Sequence, residues 1–279
     1  EQMSRARPDS WRRSYDPQEM RLLGDSRRGG PNFRQVFEYD PAVIYGGTQQ
    51  QNVDVRRLTY SDGTQPPTDG PYPGYLPNGT ANEFNPAYSP DGTKIAFASD
   101  RMGKPELFLM PWTGNGPVQL TSNGCVNESP TWSPDGRTIY WANDCEGNFE
   151  IYKADLVYRY ESIYGIDAGL TNITRLTNSP GADRYPRVSP DGTTIAFTSN
   201  REGQEEIFVI NASNGAGERR LTANNADDNA PSWRADGQAL VFASNRSGNW
   251  DIFTMDLTGN NVTQLTTGTS QERWALWAQ

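Results

Sequence analysis

The chain has 279 residues, with 25 Lys and Arg against 34 Asp and Glu, a formal net charge of −9 and no histidine. An acidic balance of this size argues against nucleic acid or an anionic membrane as the main partner. The missing histidine removes His-dependent nucleophile triads and imidazole metal ligands. No apolar run approaches the ~20 residues of a membrane-spanning helix.

Residues 1–31 differ in composition from the rest of the chain. Seven arginines (Arg5, Arg7, Arg12, Arg13, Arg21, Arg27 and Arg28) lie among prolines and glycines. The stretch reads as an extended basic arm. Within it Asp16-Pro17-Gln18-Glu19 predicts a short helix, with proline in the first turn, a capping glutamate and Gly24 as its end. Such an arm either lies on its own acidic chain or docks, through residues such as Arg12 and Arg13, on another protein or a second copy. No signal-peptide core precedes it, so an exported protein is expected here in its mature form. Residues 32–279 are expected to form one β domain.

That domain opens with three predicted strands, Phe33–Tyr39, Ala42–Tyr45 and Val53–Thr59, the last ending in Arg57-Leu58-Thr59. A long Pro/Gly loop, 60–82, comes after them; loops of that length in a compact domain are functional or mobile. From Pro86 one phrase recurs four times, at Pro86–Phe97, Pro130–Trp141, Pro186–Phe197 and Pro231–Phe242. It is built on Ser-Pro-Asp-Gly, worn to Arg234-Ala235-Asp236-Gly237 in the last copy. Proline fixes φ for the turn and glycine closes it at no steric cost. The β-prone runs Lys94–Ala98, Thr138–Ala142, Thr194–Thr198 and Ala239–Ala243 come next, then a second turn such as Ser199-Asn-Arg-Glu-Gly203. A third strand opens on Glu106, Glu150, Glu206 or Asp251, and a fourth ends in Leu-Thr after Gln119, Arg175, Arg220 or Gln264.

The aspartates of the phrase, Asp91, Asp135, Asp191 and Asp236, are 44, 56 and 45 residues apart. A period near 45 built of short apolar runs is the mark of four-stranded units stacked around an axis. The expectation is an all-β, five-bladed β-propeller of four-stranded antiparallel blades, with six blades as the alternative. Glu272–Ala278 lines up with the first strand of a unit, so the fifth blade is expected to close 3+1, one strand from the C-terminus and three from the N-terminus. A ring closed in this way leaves no open sheet edge. The longer interval holds an insertion, Leu156–Leu170, between third and fourth strands. Tyr158, Tyr160, Ile163 and Tyr164 there are of the kind that anchor interfaces, or they fold back over the rim.

The Ser-Pro-Asp-Gly turns, with Ser/Asn-Asp/Asn-Arg-x-Gly and Glu-Ile-Phe downstream, resemble the WD-like repeats of TolB-type β-propellers across residues 83–278. The resemblance implies a propeller exported from the cytoplasm and a role related to that of a lipoprotein-binding component of the cell envelope. About thirty residues precede the first predicted strand in this sequence, where that family carries an α/β domain, so the expectation is a propeller without that domain. The chain departs from that family in the number of blades.

Cys125 and Cys145 are the two cysteines. Cys145 occupies the second turn of its unit, where the others hold Arg101, Arg201 and Arg246, and Cys125 lies in the loop leading into the same unit. Both loops leave a meander on one face. A disulfide there, closing about twenty residues, would contribute roughly 3 kcal/mol; the alternative is two free thiols in a reducing compartment. The bridge would place the chain in the periplasm or outside the cell, as the resemblance implies.

Three residues before each repeat proline stand Glu83, Asn127, Asp183 and Asp228, with Glu272 in the matching C-terminal place. Carboxylates brought together around a channel mouth repel unless a cation or basic group joins them. One reading is a site for Ca²⁺, whose ligands are oxygens, or for a basic partner; no other cofactor is expected. The other is a structural lock in which Arg101, Arg201 and Arg246 pair with these acids. Tyr88, Trp132, Val188, Trp233 and Trp277 share one register and are expected to pack between blades. The functional expectation is a non-enzymatic platform for protein partners in an envelope or extracellular assembly. The rivals are a glycan-active enzyme using paired carboxylates and a subunit of a filament or surface array.

Overall fold

The computed structural model of the chain describes residues 13–16, 21–26, 35–39 and 55–57 as backbone strands. It describes 81–112, 114, 116–162, 165–267 and 271–273 more fully. Each of the four repeats folds into one antiparallel four-stranded sheet, a blade. The first holds β5 (Glu83–Tyr88), β6 (Lys94–Ser99), β7 (Glu106–Pro111) and β8 (Val118–Gln119). The second holds β9 (Asn127–Trp132), β10 (Thr138–Asn143), β11 (Glu150–Ser162) and β12 (Gly165–Arg175). The third is β13 (Asp183–Val188), β14 (Thr194–Ser199), β15 (Glu206–Asn211) and β16 (Arg219–Arg220). The fourth is β17 (Asp228–Trp233), β18 (Ala239–Ser244), β19 (Asp251–Asp256) and β20 (Thr263–Gln264).

The N-terminal strands β1 (Arg13–Asp16), β2 (Arg21–Ser26), β3 (Gln35–Tyr39) and β4 (Val55–Arg57) form a further antiparallel sheet in chain order. This corrects two expectations. Where a short helix was expected, Asp16 pairs with Arg21 and Leu23 pairs on its two sides with Ser14 and Glu38. A strand bonded along both edges satisfies every backbone group, which local helix signals cannot match. Among the described residues the structure therefore has four repeat blades of sixteen strands rather than five or six, and none of its sheets draws strands from both termini. The place in this sheet that the C-terminal strand was expected to take is filled from the N-terminal side, by β1 and β2. Ala42–Tyr45 and residues 274–279 lie outside the described residues.

The repeat turns form as their composition dictates. In the first, Ser89 Oγ donates to Asp91 Oδ1 at 2.6 Å, Thr93 N–H donates to the same oxygen at 3.0 Å, and Gly92 N–H closes on Ser89 O at 2.9 Å. Gly92, Gly136, Gly192 and Gly237 adopt φ of 68°, 68°, 75° and 69°, a region open to glycine. The prolines of the first strands are handled differently. Each follows a left-handed non-glycine residue, Asn85, Ser129, Tyr185 or Ala230 at φ 51–57°. The ladder slips register there, between Phe84 and Ala87, Arg184 and Arg187, and Asn229 and Ser232. A proline has no N–H to give the ladder, and a bulge is where a strand tolerates one.

The middle strands carry the core. Ile95, Phe97, Leu107, Leu109, Met110, Ile139, Trp141, Ile195, Phe197, Leu240 and Phe242 are all essentially inaccessible. An aromatic pair faces across β6 and β7 (Phe97–Phe108, 5.8 Å between centroids), and the same register holds Trp141–Tyr152 at 5.9 Å, Phe197–Phe208 at 5.9 Å and Phe242–Phe253 at 6.0 Å. Neighbouring blades share their apolar faces: Tyr140 and Ile151 pack with Ile195, Phe197 and Ile210, while Ile207 and Val209 pack with Trp233, Leu240 and Met255. Trp233 Nε1 donates to Arg187 O at 2.8 Å across the second of these faces. Tyr88, Trp132 and Trp233 are buried, in line with the expected packing.

Candidate functional site: buried acids at the blade junctions and a projecting hairpin

Of the acids singled out from the repeat, Glu83, Asp183 and Asp228 lead their strands, and all four are hidden from solvent. Glu83, Asp183 and Asp228 are fully buried and Glu272 is 8% exposed. The register sets Glu83, Asp183 and Asp228 opposite Ser99, Ser199 and Ser244, each of which begins the second turn. That turn brings an arginine back onto the acid. Arg201 reaches Asp183 with contacts of 2.8 and 3.0 Å, Arg246 reaches Asp228 Oδ2 at 2.7 Å, and Arg101 bonds Glu83. In each case Nε donates to the turn serine, at 2.9 Å from Arg101, 2.8 Å from Arg201 and 2.8 Å from Arg246. The guanidinium also lies over the aromatic pair, 4.4 Å from Phe108, 4.5 Å from Phe208 and 4.9 Å from Phe253.

An arginine held by a carboxylate, a hydroxyl and a ring face has its donors and its flat surface used at once. Of the two arrangements the sequence allowed for these acids, the arginine lock is the one seen at three positions. Among the described residues no group of three His, Cys, Asp or Glu side chains is placed to hold a metal ion. In the second blade the arginine position is Cys145. Both cysteines are disulfide-bonded, and Cys145 N–H donates to Asn143 Oδ1 at 2.9 Å.

A second set of buried acids, at the start of the third strand, forms a network that the sequence reading did not anticipate. Glu106 accepts from Thr121 Oγ1 (2.5 Å), Gly124 N (3.0 Å) and Asn127 Nδ2 (2.8 Å). Glu150 accepts from Arg175 (2.8 Å), Thr177 Oγ1 (2.6 Å) and Ser179 N (2.9 Å). Glu206 accepts from Arg220 (2.7 Å) and Asn224 N (3.0 Å), and Asp251 from Ser247 Oγ (2.6 Å) and Gln264 Nε2 (3.0 Å). The signal was present in the sequence: the acid recurs with the Leu-Thr that ends the fourth strand. The two sets meet through the backbone. Asn127, Asp183, Asp228 and Glu272 each donate N–H to the carbonyl just before a third-strand acid, at 2.8, 2.7, 2.6 and 2.7 Å. Burial pushes the Asp183 carboxyl above its ordinary range and the nearby Glu150 adds to this, while Ser199 and Arg201 oppose them.

The insertion is a hairpin rather than a loop. β11 and β12 run 13 and 11 residues, where the third and fourth strands of the third blade run 6 and 2. Its strands alternate. Leu156, Ile166 and Ala168 are buried, whereas Val157 is 44% exposed and Arg159 pairs in solvent with Asp167 at 2.6 Å. Tyr158 folds back: Lys94 Nζ lies 5.3 Å from its ring centroid and forms a 2.6 Å ion pair with Glu161. Burial pushes the Tyr158 phenol up, and Glu161 and Asp91 add to the shift. Tyr160 is 58% exposed. Ile163, Tyr164 and Arg12 lie outside the described residues, and Arg13 is described as backbone within β1.

Four-stranded blades repeated along the chain, each begun by a buried leading residue, define a β-propeller. The chain belongs to the TolB β-propeller domain family, whose model matches residues 74–159 and 157–273. It is 39% identical over 132 residues to the Tol-Pal system protein TolB of Bordetella pertussis, a stretch covering 47% of this chain and 28% of that protein. The chain thus spans less than a third of that curated relative. In fold it is similar to a protein of Agrobacterium tumefaciens assigned as a TolB, with TM-score 0.68 and 23% identity over 95% of this chain and 85% of the other. It is also similar to TolB of Acinetobacter baumannii, with TM-score 0.60 and 22% identity over 94% and 54%.

Proposed function

We propose that this chain is a non-enzymatic docking propeller of the periplasm, working in an envelope assembly of the Tol-Pal type. The observation that carries this reading is family membership shared with Tol-Pal system relatives. Two observations support it: buried ion pairs tie the leading strands of three blades to their turns, and the hairpin leaves Tyr160 exposed for a partner. A disulfide suits an oxidising compartment. The carboxylates a glycan-active enzyme would use are engaged instead by Arg101, Arg201 and Arg246, and no observation favours that reading.

The test is a photo-crosslinking side chain placed at Tyr160 and activated in the native envelope, with adducts identified by mass spectrometry. The expected result is a discrete adduct with a protein of the Tol-Pal assembly, lost when the same probe is placed at Arg137 on a repeat turn. Adducts confined to glycan, or none from either position, would overturn the proposal.

A further inference from the structure

The fourth strands of the blades differ in length, and with it in what their outer edges offer. β8, β16 and β20 are two residues long, whereas β12 runs eleven, Gly165–Arg175. A very short edge strand is one of the ways a sheet avoids unwanted pairing, and the second blade does without it. β12 ends its sheet, with β11 on one side and no strand on the other among the described residues. From Gly165 to Thr171 the edge holds no proline and no lysine, and its one charge is Asp167. The left-handed Asn172, at φ 54°, comes only after that run. Seven residues of extended backbone, with N–H and C=O groups turned outward at alternate positions, are a template for one more strand.

The side chains beside that edge say what fits it. Arg159 of β11 donates to Asp167 from Nε at 3.1 and 3.0 Å and from Nη2 at 2.6 Å. Its other nitrogen, Nη1, lies over Gly169, 3.7 Å from where a Cβ would stand. Neither a left-handed φ nor crowding requires glycine there, since that nitrogen is all an added Cβ would meet. A glycine inside a strand then marks a place where another backbone comes close. We propose that β12 pairs antiparallel with β12 of a second copy of this chain, about a two-fold axis through Ala168. In that register the second copy's Asp167 stands directly opposite Gly169, on the same face, and meets Arg159 Nη1. Symmetry repeats the contact, so two arginines and two aspartates alternate across the axis. The neighbouring registers lack this complementarity. An axis through Asp167 sets two acids against each other, and an axis through Gly169 brings the two guanidinium groups face to face.

The experiment is sedimentation equilibrium of the whole chain over a range of concentrations, with Gly169→Asp and Gly169→Asn as comparisons. The native chain should approach the mass of two copies. Gly169→Asp sets an acid against the second copy's Asp167 at two symmetric places, while in its own chain that acid faces Arg159 and leaves the hairpin intact. It should weaken the dimer roughly tenfold relative to Gly169→Asn, which has the same shape without the charge. A spin label at Thr171 of the otherwise native chain reads the register directly. The two labels should sit about 20 Å apart, six residues at ~3.3 Å each. A native chain that stays single at every concentration would overturn the proposal and leave the edge to an extended segment of another protein. So would a dimer that Gly169→Asp and Gly169→Asn affect equally, or one whose labels lie far from that separation. If the Gly169 variants fail to fold, the native mass and the label distance still decide it.

Discussion

The second and third blades solve one problem in two ways. Both have an aromatic pair at the same register and the same 5.9 Å spacing, Trp141–Tyr152 and Phe197–Phe208. In the third, the second turn is tied to the leading residue of the blade by Arg201 and Asp183, two charges that must be buried together. In the second, the same positions carry Cys145 and Asn127, and a disulfide to Cys125 takes over. The comparison teaches that the fold requires a tie at this place but not a particular chemistry. The arginine and aspartate positions both become neutral, as Cys145 and Asn127, when the tie becomes covalent. The blades also differ outward: the second extends its last two strands into the hairpin that carries Tyr160, and the third stops after two residues of its fourth strand.

The largest effect should come from breaking the ionic tie. Arg201→Ala leaves Asp183 buried and unpaired, which costs about 3–5 kcal/mol, readable as a shift of the urea midpoint. A variant within about 0.5 kcal/mol of native, the range of an ordinary surface change, would deny the tie its role. Cutting the covalent tie comes next. Cys125→Ser with Cys145→Ser should cost about 3 kcal/mol and remove any effect of reductant on the thermal midpoint.

Acid should then test the turns rather than the ties. Burial alone would raise the Asp91 carboxyl, but the Ser89 hydroxyl, the Thr93 N–H and hydroxyl, and Lys94 outweigh it and bring its pKa to about 2. A lowered carboxylate contributes stability above its unfolded value near 4 and loses it as pH falls through the folded value. Asp91→Asn should therefore flatten the loss of stability between about pH 4 and pH 2, followed by circular dichroism. The smallest effect on stability is expected outside the frame. Tyr160→Ala should stay within about 0.5 kcal/mol of native while weakening capture of the Tol-Pal-type partner in a pull-down.

Much of this was legible in the sequence because the repeat is periodic and its turns are chemically specific. Proline, aspartate and glycine at fixed offsets fix the turns, and four agreeing copies fix the strands on either side. The arginine partners of Glu83, Asp183 and Asp228 were legible as well, since they recur in step. What failed lacked that redundancy. Asp16–Gly24 carries a locally convincing helix start, yet pairing on both edges of β2 decides its fate, and pairing is not a local property. Ser26-Arg27-Arg28-Gly29, which echoes the second turns, was the clue that a strand precedes it. The hairpin reads as an irregular insertion because the alternation of Leu156, Tyr158, Ile166 and Ala168 is broken by the exposed run Arg159-Tyr160-Glu161. The acid network at Glu106, Glu150, Glu206 and Asp251 was visible as a pattern, but its meaning depends on which hydroxyl and amide groups the fold brings to it.

The most direct test of the claim that one place takes either chemistry is a transplant. Asn127→Asp with Cys145→Arg, in a Cys125→Ser background, rebuilds in the second blade the tie of the third. The chain should fold, recover most of the stability lost by the two serine substitutions, and melt at the same temperature with and without reductant. A transplant no more stable than that serine variant would contradict the account, because the disulfide would then be doing something an arginine and an acid cannot.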